Sequence, residues 1–275
     1  MELEAGQTAV ITGAASGMGR AFAERFGKLG LNVVLADVEE PRLVEVAASM
    51  REDGSSVLPV VADVASEAAW DDLARQTFDT YGSVNVLCLN AGVGGGGPIA
   101  ELGTKDWEWV LGVNLWGVIH GLRAFLPTML ASGEPGHIVS TASMAGMMAG
   151  PMMGPYNATK FAVVAIMETL RAELDMTGAK VSCSVLCPGF VNTDIINSAR
   201  NRPAELAGYE ASPLADDSMA QMIRQRFETA TPPSRVAEIV EEGIRENRLH
   251  LFTDQEFKPI FEGRVQTILD SMSKY

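Results

Sequence analysis

The chain has 275 residues, 47% of them hydrophobic, which is enough apolar material for a sizeable core in one large domain or two small ones. Its formal net charge of −14 argues against a nucleic-acid backbone or an anionic membrane surface as partner and favours a small molecule. Cys88, Cys183 and Cys187 sit in apolar runs at no metal-binding spacing, and His120, His137 and His250 are scattered, so buried structural thiols and no metal site are expected.

The stretch from Thr8 to Asp37 predicts a βαβ unit. Two short aliphatic runs, Thr8 to Ile11 and Val33 to Ala36, flank a helical run ending near Leu29. Between the first strand and the helix lies Thr12-Gly13-Ala14-Ala15-Ser16-Gly17-Met18-Gly19. Glycines at such a turn allow positive φ and close backbone approach, and the helix beginning near Met18 offers free N–H groups and the positive end of its dipole to a pyrophosphate. The spacing is a variant of the common G-x-G-x-x-G dinucleotide fingerprint, so the strand-turn-helix context carries the argument. Gly13, Ser16, Gly17, Met18 and Gly19 are the candidate cofactor-binding residues of this turn. Asp37 closes the second strand, where an acid accepts hydrogen bonds from both ribose hydroxyls and repels a 2′-phosphate. Ala15, Ser16 and Val38 offer no compensating base, and Arg42 on the next helix is the one exception, so NAD(H) is expected over NADP(H).

Strands and helices then alternate without a linker, predicting a single doubly wound α/β domain over residues 1–275. A helix is expected over Pro41 to Arg51, a strand over Val57 to Ala62, a helix over Trp70 to Tyr81 and a strand over Val84 to Leu89. Asp63, after the third strand, is either an acid on the ligand-binding edge or a turn or N-cap residue. Asn90-Ala91-Gly92 and Gly94 to Gly97 mark a loop that bends sharply or passes close to something. The helix from Trp107 to Leu130 is apolar on more than one face, which points to coverage by a second subunit, and Asn114 is the polar residue within it.

His137 to Ser143 reads as a strand ending in hydroxyls, followed by a loop and a helix over Pro155 to Thr177. Tyr156 and Lys160, four positions apart, share one helical face. A phenol is a poor base at neutral pH unless a nearby ammonium favours its ionised form, and Ser143 could hold a substrate oxygen against it. Such a trio would transfer a proton to a carbonyl or from an alcohol. Met144, Met147, Met148, Met152 and Met153 crowd the intervening loop, as pocket lining or as core filler.

Val181 to Cys187 is the next strand. Residues 190–230 are polar and irregular, then helical from Asp216 to Phe227, and read as a substrate flap or as a variable surface excursion; Met219 and Met222 would add to an apolar pocket there. Ser234 to Asn247 is helical, Leu249 to Phe252 is the last strand, and the tail over about 254–275 carries apolar residues that should pack on something.

With these motifs in hand the chain is identified as resembling the short-chain dehydrogenase/reductase family. The residues that carry the likeness are Thr12-Gly13-x-x-x-Gly17-x-Gly19, Asp63, Asn90-Ala91-Gly92, Asn114, Ser143, Tyr156 with Lys160, and Pro188-Gly189-Phe190-Val191-Asn192-Thr193. The resemblance implies a seven-stranded parallel sheet flanked by helices (a Rossmann fold), Tyr156 as acid/base, and Ser143 orienting the substrate oxygen. It further implies that Lys160 binds the nicotinamide ribose and lowers the Tyr156 pKa, and that Asn114 places a water in a proton relay. Asp63 and Val64 would meet the adenine, Asn90, Ala91 and Gly92 line the cleft, and Pro188, Gly189, Val191 and Thr193 lie at the carboxamide end. A homotetramer through the helices at 107–130 and 155–177 is also implied. Met1 to Glu4 lacks the blocks of a signal peptide and the uncharged run Ile138 to Thr159 is broken by Pro, Gly, Ser and Thr, so a cytoplasmic protein without a membrane partner is expected.

The expected activity is hydride exchange between NAD and a bulky apolar or aromatic secondary alcohol or its ketone. Arg200 and Arg202 keep open a 3-oxoacyl-type reduction of an anionic acyl substrate, and a non-catalytic nicotinamide sensor is the alternative of another class.

Overall fold

A computed structural model of the chain describes residues 1–209 and 217–274. Seven strands, β1 (Thr8–Thr12), β2 (Asn32–Asp37), β3 (Val57–Val61), β4 (Val86–Leu89), β5 (Gly136–Thr141), β6 (Val181–Cys187) and β7 (His250–Phe252), form one sheet in the order β3-β2-β1-β4-β5-β6-β7. Every pairing is parallel. All residues of β1, β4 and β5 are buried, as expected of strands covered on both faces. Pro59, which cannot donate to a ladder, lies in edge strand β3.

Helices α1 (Gly17–Lys28), α2 (Glu40–Glu52) and α8 (Pro233–Arg245) cover one face, burying Phe22, Phe26, Leu43, Val240 and Ile244 against the sheet. On the other face lie α3 (Glu67–Tyr81), α5 (Gly117–Ser132) and α6 (Gly154–Thr177), with Trp70, Leu73, Phe125, Val163 and Met167. The strand order reverses between β1 and β4, so their carboxyl ends open the crevice where doubly wound sheets bind ligands.

The single helix expected over 107–130 is three pieces: α4 (Thr104–Leu111), a π-helical turn at Gly112–Trp116, and α5. The inserted π turn shifts the side-chain phase, which is one reason its apolar residues fit no single 3.6-residue stripe. By length and composition the run Thr104–Ser132 could cross a membrane; in the fold it lies against the sheet, with Val118, Phe125 and Met129 buried. Its outer side exposes Trp116, whose ring stacks on His120 at 5.5 Å, and Leu130.

The remaining helices are α7 (Asp217–Glu228) and α9 (Lys258–Met272). No residue of α9 is buried, although the tail was expected to pack; Phe257 before it meets the Phe190 ring at 5.7 Å, and Arg264 lies over the Phe161 ring at 5.1 Å.

Candidate functional site

The cradle begins where β1 ends. The Thr12 hydroxyl donates to the Cys88 carbonyl (3.3 Å) and accepts from the N–H groups of Asn90 and Ala91 (both 3.0 Å). The Asn90 amide donates back to the Thr12 carbonyl (3.0 Å), and its Oδ1 accepts from the Thr141 hydroxyl (3.1 Å). Three neighbouring strands are thus tied at their carboxyl ends, and the glycine turn is held against this knot. A Cβ on Gly19 would lie 2.1 Å from the Gly13 carbonyl oxygen, and one on Gly13, which has φ +68°, 3.0 Å from the Ala91 Cα. Above Gly17 sits Thr193, whose Cγ2 would be 3.0 Å from a Cβ there.

Helix α1 starts at this turn with no side-chain cap from Ser16 and no acid in its first turn, so its leading N–H groups and dipole are open to an anion. Asp37 stands beside them: its Oδ2 accepts from the Ala15 N–H (2.9 Å) and its Oδ1 from the Glu39 N–H (3.0 Å), leaving further lone pairs on both oxygens for hydroxyl donors. The residues present therefore fit an adenine dinucleotide: a backbone cradle that side chains would fill, an uncapped helix start, and a carboxylate acceptor at the end of the adjoining strand.

Asp63 makes a turn, accepting from the Ala65 N–H (2.9 Å), while Ser66 caps α3 through the Ala69 N–H (3.3 Å). The Val64 side chain packs on Gly117 and its carbonyl accepts from Trp70 Nε1 (3.0 Å), so its N–H is what it offers a ligand.

Asn114 lies in the π turn, fully buried. Its Oδ1 accepts from the Val93 N–H (2.8 Å) and its Nδ2 donates to the Val93 carbonyl (2.9 Å) and toward Thr159 Oγ1 (3.4 Å). The amide implied to place a water pins the loop after β4 first. Around Gly92 the two groups do converge: a Cβ there would be 3.3 Å from Asn114 Oδ1 and 3.6 Å from Lys160 Nζ.

Tyr156, Lys160 and Ser143 come together at the ends of β5 and α6. Lys160 is 3% exposed, donates to the Thr141 carbonyl (2.8 Å) and lies 5.4 Å from the centre of the Tyr156 ring. Burial lowers its pKa to about 8. Burial also pushes the Tyr156 phenol above its ordinary value, against the opposing pull of the nearby Ser143 hydroxyl. In the free protein burial is the larger influence on the phenol, and the Lys160 Nζ is engaged by the Thr141 carbonyl. Ser143 also accepts from the Ala145 N–H (3.1 Å) as the cap of a short 3₁₀ turn, whereas Ser140 stays buried within the sheet.

The chain after β6 leads back from this trio to the cradle. Pro188 accepts from the Met144 N–H (2.9 Å), Gly189 donates to the Thr253 hydroxyl (3.0 Å), buried Val191 bridges to Thr231, and Thr193 reaches Gly17. Beyond it, residues 194–209 form short 3₁₀ turns fastened at two places. Arg202 pairs with buried Asp106 (2.7 Å) and stacks over Trp109 (5.0 Å), while Arg200 donates to Glu39 (2.6 Å). Neither arginine expected as an anchor for an anionic acyl group is free for one. The expected flap extends into residues 210–216, outside the described residues, as do the side chain of Met219 and residue Pro213.

The glycine run 94–97 is pressed from three directions. Cβ atoms would meet the Ile195 carbonyl (3.1 Å) at Gly94, Val110 (2.6 Å) at Gly95, the Met152 carbonyl (2.1 Å) at Gly96 and the Tyr209 ring (2.9 Å) at Gly97. The methionine loop divides: Met144 belongs to the core, Met147 and Met148 are half-buried, and Met152 and Met153 are exposed, with the Ile99 side chain against Gly154 just after them. Met222 is exposed on α7. A cavity of about 820 Å³ adjoins Ser16, Gly17, Thr193, Asn197 and Phe227 on the outer side of the cradle, without reaching Ser143, Tyr156 or Lys160.

All three cysteines are free and buried, which pushes Cys183 up to about 11 and Cys187 up to about 12. Reading the sequence missed Thr12 as the hub of the knot, the π turn, Thr141 as the partner of Lys160, and Asp106 and Glu39 as anchors. Only Thr12 carried a signal, since it precedes the first glycine.

A model of the family described as short chain dehydrogenase matches residues 7–204. The fold superposes with a TM-score of 0.93 on the crystal structure of a short chain dehydrogenase/reductase from Burkholderia phymatum in complex with NAD, at 42% identity over 98% of this chain and 97% of that one. The chain is 33% identical over 264 residues to the CLA biosynthesis dehydrogenase/reductase of Lactiplantibacillus plantarum, covering 94% of this chain and 92% of the relative. It is 36% identical over 254 residues to the 1-deoxy-11-beta-hydroxypentalenate dehydrogenase of Streptomyces arenae, covering 91% and 83%.

Proposed function

Since the chain belongs to the short-chain dehydrogenase/reductase family and is an oxidoreductase of the nicotinamide-dependent kind, we propose that it uses NAD(H) to interconvert a bulky apolar or aromatic secondary alcohol and its ketone. The observation that carries this reading is the buried Tyr156 phenol, with Ser143 beside it and Lys160 Nζ 5.4 Å from its ring centre, at the same sheet edge as the Gly13–Gly19 cradle. The dinucleotide, when bound, supplies or takes up the hydride. Ser143 holds the substrate oxygen, and the Tyr156 hydroxyl gives that oxygen its proton in reduction or receives it in oxidation. Lys160, held on the Thr141 carbonyl in the free protein, would bind the nicotinamide ribose and favour the ionised phenol by its charge. Gly13, Ser16, Gly17, Met18 and Gly19 hold the pyrophosphate, Asp37 the adenosine ribose, and Asp63 and Val64 the adenine. Asn90, Ala91 and Gly92 line the cleft, with Pro188, Gly189, Val191 and Thr193 at the carboxamide.

NAD over NADP rests on Asp37 together with the engagement of Arg42 and Arg200 by Glu39. An apolar substrate is favoured by exposed Ile99, Met152 and Met153 and by a relative named for a hydroxypentalenate. The exposed Trp116 and Leu130 suit a homo-oligomeric contact through α5, and a cytoplasmic setting suits three reduced cysteines. The test is to offer purified protein NAD⁺ or NADP⁺ with a panel of apolar secondary alcohols and follow nicotinamide absorbance. Tyr156→Phe should cut turnover by roughly 10²–10⁴-fold with NADH affinity unchanged; a sensor would be indifferent to the loss of the hydroxyl.

A further inference from the structure

Two residues beyond Asp37, the Glu39 carboxylate collects an unusual set of partners from distant parts of the chain. Its Oε1 accepts from Arg200 Nε (3.1 Å) and Nη2 (2.6 Å) and from Asn201 Nδ2 (2.8 Å), across 161 and 162 positions of sequence. Its Oε2 lies 3.3 Å from Arg42 Nε, and Arg42 reaches on to Asp194 Oδ2 at 3.2 Å. Both ends of the segment 194–201 are thereby fastened to the turn between β2 and α2: Asp194 by Arg42, Arg200 and Asn201 by Glu39. Because Thr193 stands over Gly17, this segment runs along the cleft from the glycine turn toward the ribose acid. The Glu39 backbone N–H also donates to Asp37 Oδ1, so the anchor and the ribose acceptor are one rigid corner.

The charges at this corner matter for what can bind there. Arg42 and Arg200 are the guanidinium groups drawn up against it, and guanidinium groups are what a 2′-phosphate needs for a site next to an acid. Both are taken by Glu39. Resting on the NAD(H) reading above, we propose that Glu39 is a cofactor-selecting residue: it withholds Arg42 and Arg200 from a 2′-phosphate and, through Arg200 and Asn201, fastens residues 194–201 across the adenosine half of the cleft. Asp37 repels the extra phosphate; Glu39 removes the cations that would compensate. The two functions separate on mutation, since withholding needs the charge of Glu39 whereas fastening also needs Arg200.

Glu39→Gln keeps the shape and an acceptor oxygen but not the charge. Fluorescence titration of the purified protein with NADH and with NADPH gives both dissociation constants without a substrate, and circular dichroism confirms that each variant is folded. In Glu39→Gln the affinity for NADPH relative to NADH should rise by about tenfold as two guanidinium groups lose their anionic partner. The triple variant Glu39→Gln, Arg42→Gln, Arg200→Gln should lose that gain. Arg200→Gln alone should speed NADH dissociation in stopped flow without any gain in NADPH affinity. An unmoved ratio in folded Glu39→Gln, or a gain that survives in the triple variant, overturns the proposal. A wild-type protein that prefers NADPH overturns the NAD(H) reading itself, and this inference with it.

Discussion

Lys160 is a lysine held in the interior, and the fold should be measurably less stable for its charge. Burial lowers its pKa from 10.5 to about 8, a difference corresponding to about 3 kcal/mol at about 1.4 kcal/mol per unit. Lys160→Met, close in length and apolar, removes that penalty and loses the hydrogen bond to the Thr141 carbonyl, which offsets about 1–3 kcal/mol of the gain. At pH 7.5 the inactive variant should therefore be as stable as the wild type or about 1 kcal/mol more so. The pH dependence is the sharper test. Between about 8 and 10.5 the unfolded lysine holds its proton while the folded one has released it, so wild-type stability rises with pH relative to the variant. Urea denaturation of both proteins from about pH 8 to 9.5 should shift the wild-type-minus-variant difference by about 2 kcal/mol in favour of the wild type. The buried thiols of Cys88 and Cys183 are common to both proteins and cancel, and Cys187, which feels the Lys160 charge, is replaced by Ala in both. Parallel stability profiles would refute the idea that the interior charge is strained, as would a variant several kcal/mol weaker at pH 7.5.

His137 carries a second pH signature, of opposite window. Burial lowers its pKa from 6.5 to about 3, so its contribution is present above 6.5 and falls away by about 1.4 kcal/mol per unit as the pH drops below that; His137→Phe should flatten the loss of melting temperature between pH 6 and 4. Gly19→Ala should cost more than tenfold in NADH affinity, because its Cβ would overlap the Gly13 carbonyl, whereas Gly133→Ala, at φ +65° with open space around it, should cost about 1 kcal/mol of stability and no affinity. Arg202→Gln leaves Asp106 buried with the N–H groups of Gly103 and Tyr209 alone. That should cost about 2 kcal/mol in denaturant titration and open residues 203–209 to limited proteolysis.

What could be read in advance followed from local rules. Strand β6 matches its expected span Val181 to Cys187, since a run of β-branched, aliphatic and small residues between Lys180 and Pro188-Gly189, too short for a buried helix, has few other fates. Tyr156 and Lys160 share a face because the helical period requires it, and the glycine turn meets α1 as its spacing suggests. Departures occur where a side chain competes with the ladder or the helix. The fourth strand begins at Val86, not Val84: Asn85 before it bonds through its backbone to Thr8 and His137, and its Oδ1 takes the Thr8 N–H at 3.0 Å. The fifth ends at Thr141 because Ser143 caps the following 3₁₀ turn. The π turn had no residue signature to betray it. Nor could Glu39 with Arg200, or Asp106 with Arg202, be paired by inspection, because such contacts are made by the tertiary fold across roughly a hundred positions or more.

Thr141 shows why the cradle and the proton-transfer trio are not independent parts. Its hydroxyl donates to Asn90, whose amide holds the Thr12 carbonyl under the glycine turn, and its carbonyl accepts from Lys160. One residue at the end of β5 therefore uses its side chain on the cofactor side and its backbone on the catalytic side. A buried carbonyl without a donor costs about 1–3 kcal/mol, so drawing Lys160 away toward a ribose carries a penalty that the ribose hydroxyls must outweigh. The free protein accordingly rests with Lys160 parked on the Thr141 carbonyl, its charge opposed by burial, and with its phenol kept neutral by burial. A ligand that drew Lys160 off the Thr141 carbonyl would therefore act on the same residue that braces Asn90 and Thr12, through the single polar knot that joins β1, β4 and β5.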